Sequence, residues 1–232
     1  MMVYGGPVAG KALDELRRYR MGRLVSPRGW KRPVPGVPWV VDSDAYRAFL
    51  RGEPWDEEAY AALFYDVEDD GPGKIWKAIY ETEGANPPDW LVIPDVVCGG
   101  MESLHHSRYW FDRLDHSLRW YLAVQPGMTM DAVAEAWDEA EEDAGVVLRG
   151  IFVGGDLAYK WKTLRAWRLF TRDRGAGLHV GGLSGVKALA RAELAGADSV
   201  DSSAFARFGS YQNVQRARDL VHRVRARTSP AP

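Results

Sequence analysis

A chain of 232 residues with 46% apolar residues and ten tryptophans is long enough for one sizeable core and too apolar for a disordered segment. The single cysteine, Cys98, excludes an internal disulfide and a cysteine-based zinc cage. No apolar run reaches the roughly 18 residues of a spanning helix, and the formal net charge of −2 points to no polyanionic or polycationic partner by itself. The opening MMVYGGPVAGK lacks a charged start followed by a long apolar stretch, so a secretory leader is not expected. A reducing, cytoplasmic setting is the expectation, host cytoplasm for a viral chain.

In chain order, short β-type runs alternate with helical patterns. VYGG near residue 3 is the first strand, followed by a helix over 11–21. RLVSP at 23–27 is a weak second strand and PWVVD at 38–42 the third. Residues 43–86 form a long insertion over one rim, with three short helices and a GPG break at 71–73. DWLVIPD at 89–95 is the fourth and strongest strand, before a helix over 102–117. WYLAVQ at 120–125 is the fifth. The following helix, 129–144, places Val133, Trp137 and Ala140 on one face, with Thr129 to cap it and Gly145 to end it. LRGIFVGG at 148–155 is the sixth strand, before a helix over 159–174. GLHVGG at 177–182 is the seventh. The next helix, 184–195, starts at Ser184, turns Val186, Leu189, Ala190 and Leu194 inward, and stops at Gly196. ADSVDSS at 197–203 is the eighth. Near-continuous apolar strands alternating with helices predict a compact α/β (β/α)8 TIM barrel spanning 1–227 as one domain, with a disordered tail at 228–232. A doubly wound open sheet is the structural alternative.

Barrel enzymes keep their chemistry at the C-terminal ends of the strands. Those positions hold Asp42-Ser43, Asp95, Gln125, Gly154-Gly155-Asp156, Gly181-Gly182 and Asp201-Ser202-Ser203. Carboxylates serve as nucleophiles or proton-transfer groups, an amide reads hydrogen-bonding edges, and glycines let a planar ligand approach the backbone. Taken one at a time, an Asp after a strand is as often a helix N-cap, and Gly-Gly a tight turn. Joint placement on six strand ends is what favours chemistry. Gly5–Ala12 nearly matches the phosphate-binding pattern GxxxxGK[ST], but Ala12 stands where the magnesium-binding hydroxyl belongs, which argues against nucleotide hydrolysis.

From about Pro38 to Ser203 these segments resemble the queuine/archaeosine tRNA-guanine transglycosylase superfamily, most closely its short DpdA-like DNA deazaguanine branch of phages and bacteria. DSDAY with Asp42 looks like the family's DSGGF segment, IPDVV its second aspartate segment, and LAVQPGM its VQGG-type segment. GIFVGGD looks like its GG loop, and HVGGLSG with GADSVDSS like its final Gly-rich turn and nucleophile strand. The resemblance implies that Asp201 attacks the sugar C1′ and Asp42 moves the proton of the departing or incoming base. It further implies that Asp95 and Gln125 bind the guanine edge with Ser43, that Gly154-Gly155 offers a backbone N–H, and that Tyr46 stacks on the base. His179 or Val180, with Gly181, would wall the other face. The implied partners are DNA carrying a guanine and a free 7-deazaguanine base such as preQ0, with no cofactor, no metal and no membrane; a homodimer or a partner protein stays open.

Two departures bear on specificity. Asp44 replaces the usual glycine, and Asp156 follows the GG loop as an extra carboxylate that would meet an amino-bearing deazaguanine or solvate a rim. The zinc site of the tRNA enzymes has no counterpart in AFARFGSYQNVQRARDL, which favours DNA. Lys160 and Lys162 around Trp161, together with Arg207, are expected to touch nucleic acid; a helix burying Trp161 and exposing its lysines is the plainer alternative. Arginine outnumbers lysine 23 to 7, and six arginines lie between Arg207 and Arg227. The rival functions are the same exchange on tRNA, a barrel lyase or aldolase holding a phosphorylated metabolite at HVGGLSG, and a non-catalytic nucleic-acid-binding protein.

Overall fold

The computed structural model describes residues 1–66 and 71–228. Eight parallel strands close into a barrel in sequential order. They are β1 (Met2–Gly5), β2 (Gly22–Val25), β3 (Trp39–Val41), β6 (Leu91–Val92), β7 (Trp120–Val124), β8 (Leu148–Val153), β9 (Gly177–Val180) and β10 (Ser199–Ser202). The fold is therefore the (β/α)8 TIM barrel, and all eight expected strands are present. The remaining two strands, β4 (Tyr65–Asp66) and β5 (Gly71–Pro72), form a separate antiparallel pair.

Helices pack outside the barrel. They include α1 (Lys11–Arg18), α5 (Met101–Trp110), α6 (Met130–Glu142), α7 (Leu157–Asp173), α8 (Val186–Leu194), α9 (Ala204–Phe208) and α10 (Gln212–Thr228). In α6, Val133, Ala136, Trp137 and Ala140 are buried at helical spacing. The Thr129 side chain accepts the Ala132 N–H at 3.2 Å, and Gly145 ends the segment at φ +66°. Several ends differ from expectation. α8 follows Gly185 rather than Ser184 and has no side-chain cap. Leu194 is 44% exposed instead of inward, because it stands in the last turn beyond the packed face. α1 and α5 are shorter than predicted, and the expected 102–117 helix passes into a 3-10 turn at Phe111–Arg113. The acidic run 67–70 and the tail 229–232 lie outside the described residues; Thr228 ends α10.

Strand alternation divides the side chains into two layers. Outward residues such as Val41, Leu91, Trp120, Val153 and Val180 pack against the helices in the main core. Inward residues, among them Tyr4, Val40, Trp90, Tyr121 and Phe152, fill the lumen. Trp90 and Tyr121 stack at 4.6 Å. Room for Tyr121 comes from neighbouring strands, since a Cβ at Gly150 would lie 2.3 Å from its ring and one at Gly177 2.1 Å from its hydroxyl. This aromatic plug closes the lower lumen and leaves the C-terminal end of the strands as the place for polar groups.

The insertion contains α2 (Ala45–Arg51), α3 (Glu57–Ala61) and α4 (Lys74–Glu81). It braces the barrel at two points. Trp55 Nε1 donates to the Ser43 carbonyl at 2.8 Å, and the buried Tyr60 hydroxyl donates to the Val92 carbonyl at 2.6 Å. Both anchors lie directly behind strand ends that carry site carboxylates.

Candidate active site

The barrel brings Asp42, Asp95, Gln125 and Asp201 to one end. Asp42 follows β3, its N–H donating to the Val25 carbonyl at 2.8 Å. Asp95 lies three residues past β6, and Gln125 directly follows β7. Asp201 is within β10 and points inward with Ser199, two residues earlier.

Asp95 and Gln125 form one hydrogen-bonded unit. Gln125 Nε2 donates to Asp95 Oδ2 at 2.5 Å, and the Ser43 hydroxyl donates to Asp95 Oδ1 at 3.1 Å. Gln125 Oε1 accepts the Cys98 N–H at 2.7 Å, which fixes the amide's orientation. Gln125 Nε2 also reaches the Ser103 hydroxyl at 3.3 Å. Gly154 lies against this unit, its position for a Cβ being 3.5 Å from Gln125 Cγ. Gly155 adopts φ +80°, and a Cβ there would fall 2.7 Å from Pro126 Cδ, so the GG loop requires glycine.

Asp201 Oδ1 takes two contacts, His179 Nε2 at 2.9 Å and the Gly182 N–H at 3.1 Å. Its side chain is 17% exposed, so the carboxylate is reachable from the mouth. His179 is fully buried, ring-stacked on Phe152 at 4.8 Å, with Nδ1 2.8 Å from the Ser199 hydroxyl. Burial lowers its pKa, against the opposing pull of Asp201. Neutral imidazole therefore prevails in the lumen.

The carboxylates are electrically distinct. Burial, reinforced by the charges of Asp201, Asp95 and Asp44, pushes Asp42 from 3.8 up to about 8. Burial raises Asp95 to about 6, with the hydrogen bonds from Ser43 and Gln125 acting the other way. Asp42 thus holds a proton at neutral pH on the same barrel mouth as Asp201, whose Oδ1 is hydrogen-bonded. A proton donor and a nucleophile can coexist in such a pair.

The other expected residues are placed as follows. Tyr46 is 61% exposed on α2, its ring uncovered beside the mouth. Asp44 stands at φ +67°, a left-handed conformation natural to glycine and tolerated by Asp. Its Oδ1 pairs with Arg47 at 3.4 Å, and its buried Oδ2 has no hydrogen-bond partner among the described residues. Asp156 is the N-cap of α7, accepting the Tyr159 N–H at 2.7 Å on an exposed rim. Gly181 adjoins Asp201, a Cβ there lying 3.4 Å from its Oδ1.

Three expectations are corrected. Val180 cannot wall a ligand in the lumen, because alternation turns it outward into the sheet–helix core. His179 has its ring edge committed to Asp201 and Ser199, so it acts within the lumen rather than as a free wall. Lys160 is only 7% exposed and its Nζ donates to the Gly181 carbonyl at 2.8 Å, which removes it from any surface contact with phosphates. Trp161 is partly buried, with the Arg191 guanidinium 4.5 Å above its ring. Lys162 and Arg207 are exposed. Within the basic C-terminal segment, Arg218 donates to the Tyr19 carbonyl at 2.7 Å and is partly spent on packing.

Sequence reasoning passed over Ser199, Ser103 and the Gly182 N–H. One of these was within reach: Ser199 stands two residues before Asp201 and so shares the inward face of β10, where it pairs in register with His179. Ser103 lies on α5, and only the fold carries it to Gln125. Among the described residues, no three His, Cys, Asp or Glu side chains are grouped to hold a metal ion. No helix among them is long and apolar enough to cross a membrane. A hollow of about 470 Å³ opens at the opposite end of the barrel, between Asp89, Arg119, Tyr121 and Arg149. It contains none of the strand-end groups of the candidate site and lies at the end that barrel enzymes use for stability. No protein-family model matches the chain, and no curated protein matches it.

Proposed function

We propose that this barrel is a base-exchange pentosyltransferase, replacing guanine in DNA by a 7-deazaguanine through a covalent aspartyl-sugar intermediate. The observation that carries the reading is the convergence on one barrel mouth of Asp42, whose pKa is pushed up to about 8, and a reachable Asp201 whose Oδ1 takes two hydrogen bonds. Retaining glycosyl transfer needs that division of labour: one group bonds to the anomeric carbon while the other moves a proton. Asp95, oriented by Ser43 and the buried Gln125 amide, supplies a carboxylate edge for a purine, and the GG loop allows close backbone approach.

In the first half-reaction, Asp201 bonds to C1′ as the glycosidic bond breaks, and guanine leaves with the proton from Asp42. In the second, the incoming deazaguanine displaces Asp201 and returns a proton to Asp42. No energy source is consumed, and the anomeric configuration is retained. A guanine in duplex DNA must leave the stack to be reached.

DNA is favoured over tRNA by the missing zinc ligands in AFARFGSYQNVQRARDL. The test is incubation of the protein with guanine-containing DNA, single- and double-stranded, and with tRNA in parallel, each with labelled guanine or preQ0. Incorporation into DNA that Asp201→Ala abolishes is the expected result. A folded protein that incorporates neither base into any of these substrates refutes the reading; incorporation into tRNA alone moves it to the tRNA branch. One observation favours a second reading. α8 begins at Gly185 with no side-chain cap, next to the turn held by Lys160. A lyase or aldolase could hold a phosphorylated metabolite there. Saturable binding of a sugar phosphate, with no base exchange, would select it.

A further inference from the structure

We propose that His179 and Ser199 form a buried positioning pair that pins Oδ1 of Asp201 and leaves Oδ2 as the oxygen that bonds to the sugar. The pinning stands on geometry alone; what Oδ2 attacks rests on the transglycosylase reading above.

The strands assemble the pair. Ser199 and Asp201 are two residues apart on β10 and so face the lumen together. His179 sits on β9, in register with Ser199. Its ring lies between Phe152 at 4.8 Å and Trp90 at 4.7 Å, so its polar contacts are confined to its two nitrogens.

Those contacts settle the tautomer. Neutral imidazole has one N–H donor and one acceptor nitrogen. Asp201 Oδ1 already accepts the Gly182 N–H at 3.1 Å, so it is an acceptor toward His179 as well. Nε2 therefore carries the proton and donates at 2.9 Å, while Nδ1 accepts from the Ser199 hydroxyl at 2.8 Å. Ser199 thus acts through His179. Without its hydroxyl, the opposite tautomer becomes accessible and would aim a lone pair at the carboxylate.

Two donors on Oδ1 matter most when the intermediate breaks down. In the covalent ester, Oδ2 is bonded to C1′ and Oδ1 is the carbonyl oxygen. As the incoming base nitrogen bonds to C1′, the C1′–Oδ2 electron pair returns to the carboxylate and negative charge spreads onto Oδ1. The His179 and Gly182 N–H groups meet that charge without reorganising, as in an oxyanion hole. They stabilise the departing carboxylate more than the neutral ester, so their effect falls on kcat rather than on KM.

The experiment compares His179→Leu, His179→Gln and Ser199→Ala in guanine exchange, with unfolding curves for each. A lost donor of this kind lowers turnover by about 10²-fold. His179→Leu is expected to show that loss in kcat with little change in KM, and to accumulate the covalent protein–DNA adduct. His179→Gln, whose amide can return a donor near the Nε2 position, is expected to recover most of the rate. Ser199→Ala is expected to lower kcat by a smaller factor. Nitrogen-15 NMR of His179 gives a readout independent of turnover: the Nε2–H tautomer in the unmodified protein and a mixture in Ser199→Ala. An Nδ1–H tautomer in the unmodified protein, or full kcat in a folded His179→Leu variant, overturns the proposal. If the unmodified protein exchanges no base, the transglycosylase reading fails by itself, and the tautomer still decides the pinning.

Discussion

Asp42→Asn tests the electrical account of the site through stability alone. The folded protein holds Asp42 at about 8 against an ordinary 3.8, first because it is buried and then because Asp201, Asp95 and Asp44 surround it. A carboxyl raised in this way costs the folded state stability once the unfolded chain can ionise it. Below pH 3.8 both folded and unfolded chains carry the proton and nothing is gained or lost. Between about 4 and 8 the unfolded chain releases its proton and the folded chain does not, so stability falls steadily as pH rises; above about 8 the loss is complete. At about 1.4 kcal/mol per pH unit, a gap of about four units amounts to roughly 6 kcal/mol. Asparagine keeps the shape and a polar donor but cannot ionise. Urea unfolding of both proteins at pH 4.5, 6, 7.5 and 9 should therefore give similar stabilities at the acid end and an increasingly more stable Asp42→Asn variant toward pH 9. The same variant should lose base exchange, a gain in stability at the expense of function. A stability difference that stays constant from pH 4.5 to 9 would refute the reasoning, because it would mean that Asp42 ionises in the folded protein as it does in the unfolded chain.

In the unmodified protein, exchange should decline as pH rises through about 8, where Asp42 gives up the proton it must deliver; a flat pH–rate profile from 7 to 9.5 contradicts that role. Asp44→Gly should raise stability by about 1 kcal/mol, since it relieves a left-handed backbone and removes a buried carboxylate oxygen that has no hydrogen-bond partner among the described residues. A drop in thermal midpoint would show that the Arg47 pairing outweighs both. Gly177→Ala should cost about 1–3 kcal/mol by overpacking the lumen, and Tyr121→Phe in the same chain should restore part of it, because the nearest atom to the new methyl is the Tyr121 hydroxyl. Additive losses in the double variant would place the strain elsewhere. Thr129→Ala removes the cap of α6 and should cost about 1 kcal/mol by urea unfolding, with base exchange unchanged.

Much of the barrel was legible because its signals are local. PWVVD, WYLAVQ and LRGIFVGG read as buried parallel strands from composition and length. Thr129 and Gly145 marked the ends of α6 through side-chain and backbone preferences that need no partner from elsewhere. The candidate residues at strand ends followed from where barrels keep their chemistry. Local reasoning failed where a side chain's direction or neighbour mattered. Val180 was placed by its nearness to the strand end, although alternation with the inward His179 turns it outward. Lys160 follows a rim glycine loop and reads as exposed; the first turn of α7 lies close enough to the end of β9 that its amine reaches the Gly181 carbonyl. Leu194 fits an apolar helical stripe, but the helix ends there and leaves it 44% exposed.

The amino-acid sequence by itself determined the alternation of strand and helix, the polar groups at the strand ends and the glycines where backbone must turn, because each depends on the chain within a few residues. The closing of the barrel decided what those groups are. Asp42 keeps its proton because burial is combined with charges from residues 95 and 201, far away in the chain. Asp201 has its Oδ1 held because β9 sets His179 between it and Ser199 of β10. Ionisation and tautomer depend on distance and on the exclusion of water, and only the tertiary structure supplies either.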